Sequence, residues 1–310
     1  MAALAAEVVS ALELWYRRHG RHDLPWRRDR APYRIVVSEF MLQQTQVDRV
    51  VPLFEAFVAE WPTFERLAAA SLANVVRAWQ GLGYNSRALR LHALARVVRD
   101  RFGGDLPRDP DALAALPGIG PYTVAAVRAF AFDEPVVAID TNLRRIFHRV
   151  RYGLEWPPLA SAGALAETGQ TYAKAAGAGF ALNSALMDLG ATLCTARAPK
   201  CLLCPLQPLC AAAPIDPGAL AERAAVHAKP RGPQARMVFE ATTRYLRGRI
   251  VDRLRAVVAD AWLPRSELHA ALAHLVPPRT PEAIEAAVAA LALGGLVECD
   301  ADADAVRLRH

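Results

Sequence analysis

Leu116-Pro117-Gly118-Ile119-Gly120-Pro121-Tyr122-Thr123 is the stretch on which the fold of this chain turns. Upstream, Asp111–Leu116 predicts a short helix. Gly118 and Gly120 break it, and Pro121 stands where the first residue of a new helix tolerates a missing N–H. The result is a helix, a glycine hairpin and a second helix. Glycines let the hairpin backbone approach a bulky group, and the new helix start offers unpaired N–H groups at a positive dipole end. Gly118 and Gly120 therefore suit a DNA phosphate, with an ordinary interhelical turn as the competing reading. Asp140 shifts the balance. It follows the largely apolar segment Ala129–Ile139 and is expected at the end of a buried element, facing the hairpin's groove.

The composition around this motif is that of a folded, basic chain. Of its 310 residues 53% are hydrophobic and 22% charged, which is far from the disordered regime, and the length allows two domains. A net charge of +6 and a pI near 9.3 favour a polyanionic partner over a small acidic substrate. Met1–Leu14 includes Glu7 and Glu13 and lacks a basic start with an uninterrupted apolar core, so a signal peptide is not expected. No stretch reaches the roughly eighteen apolar residues of a membrane span, and a soluble, cytoplasmic protein is expected.

Along the chain, Val8, Leu12 and Trp15 predict a first helix over Val8–Arg18. In the turn Asp23–Arg28, Trp26 and Arg27 serve either as a packing anchor or as walls of a base pocket. If Tyr33–Val47 is helical, Glu39, Leu42, Gln43 and Gln46 share one stripe, away from Phe40, Val47 and Val51. A carboxylate followed by amides one turn later is an odd core face, and no Lys or Arg lies between Arg34 and Arg49. The stripe reads as a functional cleft rather than a solvated face. The loop Trp79–Arg87 carries two glycines around Leu82, followed by Tyr84. Such a tip suits a wedge pushed into a base stack, although alone it is also an ordinary turn.

Four of the five cysteines, Cys194, Cys201, Cys204 and Cys210, follow the predicted helix Phe180–Leu193 with the spacing C-x6-C-x2-C-x5-C. Crowding of this kind in a chain without an export signal indicates a metal centre rather than a disulfide framework, and one compact loop with unequal gaps is one ligand set. Arg197 and Lys200 lie inside it. Beyond Cys210, Ala211–Pro233 reads as a linker. A basic run follows, from Lys229, Arg231 and Arg236 through Arg244, Arg247, Arg249 and Arg253 to Arg255. Predicted helices at 239–258, 265–274 and 280–293, with short strands at 297–299 and 305–308, suggest a small winged-helix-like domain in which Cys299 is a buried thiol.

The hairpin and its trailing aspartate resemble the helix-hairpin-helix superfamily of DNA glycosylases. Further matches resemble its MutY family of adenine DNA glycosylases: Leu24–Arg27, Ser38–Val47, Gly81–Tyr84, Asp140–Asn142, Met187–Ala191 and the four cysteines. The resemblance implies a mainly α fold, with a two-lobed helical core over 1–212 that includes the loop 194–210. A linker over 213–238 and a winged-helix-like α+β domain over 239–310 follow. It further implies a 4Fe-4S cluster on Cys194, Cys201, Cys204 and Cys210, and a monomer acting on double-stranded DNA that contains a mismatch or lesion, at the bacterial nucleoid.

In that family's scheme, adenine mispaired with 8-oxoguanine or guanine is flipped out and excised. Glu39 would protonate adenine N7, Asp140 would stabilise the sugar cation, and Tyr122 and Asn142 would position the two carboxyls. Trp26, Arg27 and Leu42 would line the adenine pocket, while Gln44 and Tyr84 would fill the space left in the duplex. Thr45 and Leu82 would meet the opposite purine, Arg87 would join them at the DNA, and Gly118 and Gly120 would hold phosphate. Endonuclease III carries a nucleophilic lysine where this chain has Tyr122, which disfavours a lyase route through an imine.

Three features depart from the family pattern. No Nudix-like domain follows Cys210, and the tail resembles the short C-terminus of actinobacterial-type members. Ser184 stands where relatives often carry a longer polar side chain against the adenine, and His22 where arginine is common. The competing functions are a thymine or uracil mismatch glycosylase of the same fold and a non-catalytic iron-sulfur DNA-binding protein. The former lacks the Gln-Gln-Thr run, and the latter gains nothing from two carboxylates facing a polyanion.

Overall fold

A computed structural model of the chain describes residues 2–154, 159–227, 238–258 and 261–310. In order, the helices are α1 (Ala2–His19), α2 (Pro25–Arg28), α3 (Pro32–Leu42), α4 (Val47–Glu60), α5 (Phe64–Ala69), α6 (Leu72–Ala78), α7 (Ser86–Phe102) and α8 (Pro110–Ala114). They continue as α9 (Pro121–Phe130), α10 (Thr141–Tyr152), α11 (Ala162–Ala176), α12 (Phe180–Thr192), α13 (Pro217–Val226), α14 (Thr243–Arg255), α15 (Arg265–Leu272) and α16 (Pro281–Leu293). Short polar residues set many of the starts. Thr63, Ser71, Asp109, Asp140, Ser161, Asp216, Thr242 and Thr280 each accept a hydrogen bond from the backbone N–H three residues on. Pro110, Pro121, Pro217 and Pro281 open their helices where no N–H partner is needed.

By packing, the chain forms two compact units whose segments interleave. The first comprises Met1–Glu39, Pro107–Ala115 and Ile119–Pro230, the second Phe40–Leu106, Leu116–Gly118 and Arg231–His310. One boundary thus falls inside α3, directly after Glu39, whereas the sequence reading draws its divisions in chain order at 212 and 239.

In the first unit the apolar stripes of α1, α10, α11 and α12 meet. Val8, Leu12 and Tyr16 join Leu143, Phe147 and Val150, then Leu165 and Tyr172, then Leu182, Leu186 and Leu189. Leu206 belongs to the same core, and Cys194, Cys204 and Cys210 pack against it, so the cysteine loop is continuous with the unit's interior. Burial on this scale contributes roughly 1.5–3 kcal/mol per large apolar side chain before the entropy of ordering is charged against it.

In the second unit Phe57 sets its edge against Trp61 and Trp79, at centroid distances of 4.8 and 5.9 Å. Trp79 is fully buried, and its indole N–H donates to the Gly83 carbonyl at 3.3 Å. The tail carries an antiparallel sheet of β1 (Leu263–Pro264), β2 (Val297–Asp300) and β3 (Ala305–Leu308) in the order β1-β3-β2, with Val297 opposite Leu308. It belongs to this unit because α14 packs on α6. Arg77 donates to the Val257 carbonyl at 3.3 Å, and Arg255 to that of Val76 at 3.0 Å.

Three expectations change. Helix α3 stops at Leu42, because Gln44 takes a left-handed φ of +57°, so Gln43 and Gln46 do not continue the Glu39 stripe. The stretch read as a linker contains α13, capped by Asp216 and anchored by buried Leu220. Cys299 is exposed, on a β2 strand that pairs on one side only. Lys229, Arg231 and Arg236 of the basic run lie outside the described residues. No described helix is long and apolar enough to cross a membrane.

Candidate active site

Glu39, on the last turns of α3, is 9% exposed. Burial raises its carboxyl from an ordinary 4.5 to about 7; the Tyr122 hydroxyl, which donates to it, pulls the other way, and the nearby charge of Asp140 raises it further. Tyr122 is the second residue of α9. Its own hydroxyl is pushed well above the usual phenol range, by burial and then by the two carboxylates it faces. Three residues that the sequence separates by a hundred positions therefore form one electrostatic group.

Asp140 owes its position to two neighbours in sequence. As N-cap of α10 it accepts from the Leu143 N–H through Oδ1 at 2.7 Å, and its Oδ2 accepts from the Asn142 amide at 2.9 Å. Arg145, one turn on, donates from Nη2 to the Asn142 amide oxygen at 2.9 Å and to the Gly190 carbonyl at 3.0 Å; its Nε reaches the Cys194 carbonyl at 2.8 Å. Gly190 is required there, since a Cβ would lie 2.9 Å from the Asn142 Cβ. The segment leading to Asp140 is pinned by fully buried Asn183, which accepts from the Ala138 N–H and donates to the carbonyls of Val136 and Gly179.

A second buried charge group lies on α12. Asp188 is bonded in two places by Arg27, at 2.6 and 3.0 Å, and by the backbone N–H and Nε of Arg21, at 2.9 and 2.6 Å. Burial alone would raise the Asp188 carboxyl, but hydrogen bonds and charge from Arg27 and Arg21 hold it below the usual range. Arg27 is thus committed to Asp188 and to the Arg21 carbonyl. Trp26 beside it is buried, and the fully buried Ser184 hydroxyl has no partner among the described residues. His22 bonds the Tyr16 carbonyl at 2.9 Å.

The remaining expected DNA contacts lie in the second unit, except Gly120. Arg87, expected at the DNA, is instead a buried clamp. Its guanidinium donates to the carbonyls of Phe40, Met41, Gln43, Leu82 and Gly83 and to the Thr45 hydroxyl, at 2.6 to 3.2 Å, and burial lowers its pKa to about 10. Leu82 is also buried rather than projecting as a wedge. Gln44 and Tyr84 are exposed, both with left-handed backbone, at φ +57° and +46°, and half-buried Leu42 closes α3. Gly118 needs its glycine twice over: φ is +80°, and a Cβ would lie 2.9 Å from the Phe40 ring. Gly120 caps α9 and has open space where its side chain would be.

Cys194, Cys201, Cys204 and Cys210 surround one cavity, together with Arg149 and Leu189. Among the described residues no three His, Cys, Asp or Glu side chains close on a point as a single ion requires. Burial pushes the Cys204 thiol up to about 11 and raises that of Cys210, against the backbone N–H groups of Leu206 beside the first and of Ala212 and Ala213 beside the second, which pull the other way. The Arg149 guanidinium lies 3.6 Å from the Cys194 Sγ. Four sulfurs about a shared space, with N–H and guanidinium donors aimed at them, are the donor set of a thiolate-held cluster, and the residues fit that group.

The sequence reading missed Arg145 as a connector and the pairing of Asp188 with Arg21 and Arg27. Each left a signal: Arg145 lies three residues after Asn142, and Asp188 is the one charged residue of α12.

Residues 37–163 match the family described as HhH-GPD superfamily base excision DNA repair protein. Among solved structures, a thermostable thymine-DNA glycosylase is similar with a TM-score of 0.60 and 31% identity, over 67% of this chain and 96% of that one. A non-covalent endonuclease III–DNA complex shares the fold at a TM-score of 0.57 and 22% identity, over 72% and 99% of the two chains. The chain is 39% identical over 304 residues to an adenine DNA glycosylase of Mycolicibacterium smegmatis, spanning 95% of this chain and 94% of the relative. With that match running nearly the full length of both proteins, the chain belongs to the adenine DNA glycosylases, DNA N-glycosylases of base excision repair within the helix-hairpin-helix superfamily.

Proposed function

We propose that the enzyme acts as a monomer on duplex DNA and removes adenine mispaired with 8-oxoguanine or guanine, leaving an intact abasic strand. One observation carries the reading: Glu39 is a buried carboxyl whose pKa near 7 keeps a proton available at neutral pH, with Asp140 close enough to raise it. A carboxyl that keeps its proton, set beside a second carboxyl, is the arrangement that acid-assisted glycosidic cleavage uses.

In this scheme the adenine is turned out of the stack and Glu39 delivers its proton to N7. The electron pair of the C1′–N9 bond leaves with the base, and the positive charge left on the sugar is met by the Asp140 carboxylate. Water then adds to C1′ and its proton returns to Glu39. Asn142 and the Leu143 N–H hold Asp140 in one orientation, and Tyr122 does the same for Glu39. A phenol in place of an amine forms no imine, so the product strand stays intact. Arg27, fixed on Asp188, holds the turn that carries Trp26, whose face suits a stacked base. Cys194, Cys201, Cys204 and Cys210 would hold a 4Fe-4S cluster, which would tie the loop with Arg197 and Lys200 to the core.

The test is single-turnover excision on duplexes bearing A, T, U or hypoxanthine opposite G and 8-oxoguanine. Adenine release is expected opposite both purines, with strand breakage only after alkali. Release of thymine but not adenine would assign the protein to the mismatch thymine class. A borohydride-trapped adduct would place a lysine at the sugar.

A further inference from the structure

Residues 133–140 join α9 to α10 without forming helix or strand, and they end on Asp140. Ala138 within the run is fully buried, and Val137 and Ile139 pack against the core of the first unit. A buried backbone with no ladder partner needs its polar groups paired by other means. Helix α12 supplies the pairing. Asp133 accepts from the Phe180 N–H at 2.8 Å through its side chain and from the Gly179 N–H at 3.3 Å through its carbonyl, which stitches the start of the run to the start of α12. Gly179 has no room for a side chain there, since a Cβ would collide with the Glu134 carbonyl.

Asn183, in the first turn of α12, makes the second stitch. Its Oδ1 accepts from the Ala138 N–H at 2.8 Å, and its Nδ2 donates to the Val136 carbonyl at 2.8 Å. Those are the groups through which a neighbouring strand would grip residues 136–138, so the side-chain amide stands in for one peptide of a missing strand. The other Nδ2 hydrogen goes to the Gly179 carbonyl at 2.7 Å, which leaves the amide one orientation. The residues beside it, Leu182, Ala185 and Leu186, are apolar and belong to the core. A fully buried amide among them is costly unless its bonds are made, and the bonds it makes end two residues upstream of Asp140.

We propose that Asn183 is a positioning residue for the excision step: it fixes the main chain that delivers Asp140, so that the carboxylate stands where the sugar cation develops. The N-cap bonds set the direction of the Asp140 side chain on α10, and Asn183 sets where the backbone beneath it lies against α12. Only Ile139 separates Ala138 from Asp140, so a shift of the run passes to the carboxylate. A misplacement of about 1 Å costs up to about 10²-fold in rate. The proposal deepens the adenine reading above and rests on its placement of Asp140 at the sugar.

The test uses the full-length protein and two uncleavable duplexes, each opposite 8-oxoguanine. One carries a cationic pyrrolidine in place of the target sugar, the other the neutral tetrahydrofuran of the same shape. Wild type is expected to prefer the pyrrolidine, because Asp140 meets its charge. Asn183→Ala should cut that preference roughly fivefold or more, with tetrahydrofuran affinity held within about twofold, and single-turnover excision should fall on the order of ten- to hundredfold. Val8→Ala, which opens a gap in the same core from α1, should lower Tm and leave the preference intact. Asn183→Asp keeps the shape and judges the proposal even where Asn183→Ala does not fold. Its ionised carboxylate opposes the Val136 carbonyl, whereas its protonated form donates to it again, so excision relative to wild type should recover as pH falls. An unchanged preference in both variants, an equal loss on both duplexes, the same loss in Val8→Ala, or no recovery of Asn183→Asp in acid would overturn the proposal. A wild type without any preference would instead remove Asp140 from the sugar, and the proposal with it.

Discussion

Arg145 donates through Nε to the backbone carbonyl of Cys194 at 2.8 Å, and its other arm holds the side chain that orients Asp140. The first cysteine of the loop and the proposed sugar-facing carboxylate therefore share one rigid connector. Arg145→Ala strands the carbonyls of Gly190 and Cys194 and the amide of Asn142, at about 1–3 kcal/mol for each acceptor that water does not reach. Single-turnover excision is expected to fall on the order of ten- to hundredfold, about 1.4–2.7 kcal/mol in barrier, together with a lower Tm. Arg145→Lys should not restore it, because one ammonium cannot span three acceptors. Wild-type rates in Arg145→Ala would show that Asp140 is held by its cap alone.

Glu39 sets the pH response. With its carboxyl raised to about 7, kcat/KM should be flat below neutrality and fall about tenfold per pH unit above it. The same shift enters stability. Between the ordinary 4.5 and about 7 the folded chain binds a proton that the unfolded chain releases, so the contribution is fully present below 4.5 and lost as pH rises through 7. Glu39→Gln should abolish excision, retain mismatch binding, and gain roughly 1–3 kcal/mol over wild type at alkaline pH. Full activity in that variant would remove Glu39 from the role of acid.

Asp188 makes the opposite prediction with pH. Its carboxyl sits below the ordinary 3.8, so its stabilising contribution is present above that value and disappears as pH falls through the lower folded-state value. Asp188→Asn leaves Arg27 buried without its counter-charge, which costs about 3–5 kcal/mol. The share of Arg21, one-third exposed, is discounted for solvent screening. Urea melts should show the deficit at pH 7 and its narrowing only in acid; equal midpoints at pH 7 would mean that water replaces the pair.

Purified protein is expected to be yellow-brown, with about four irons and four sulfides per chain. Cys204→Ser should lose colour, iron and soluble yield together, because Cys204 packs against the core of the first unit. Tightly bound zinc without sulfide after anaerobic preparation would contradict the cluster.

The parts of this protein that were legible in its sequence are those governed by local chemistry. Gly118, Gly120 and Pro121 announce the hairpin because φ and a missing N–H are properties of single residues. The cysteine spacing and the tail's helices and strands were readable for similar reasons. Other features depend on phase or on distant partners. The Glu39 stripe ends early because Gln44 leaves the helix, which no periodicity count reveals. Arg87 and Leu82 read as surface groups in a glycine-rich loop, yet the carbonyls freed where α3 ends draw the guanidinium inward. Arg27 and Asp188, 161 positions apart, find each other only through tertiary packing.

The left-handed conformations of Gln44 and Tyr84 bear on how such a protein responds to selection for robustness alone. Each costs on the order of 1–3 kcal/mol that glycine would largely recover. A screen for heat tolerance would therefore favour glycine at both positions, and its most durable winners would lack the two exposed side chains that the sequence reading sets against the duplex.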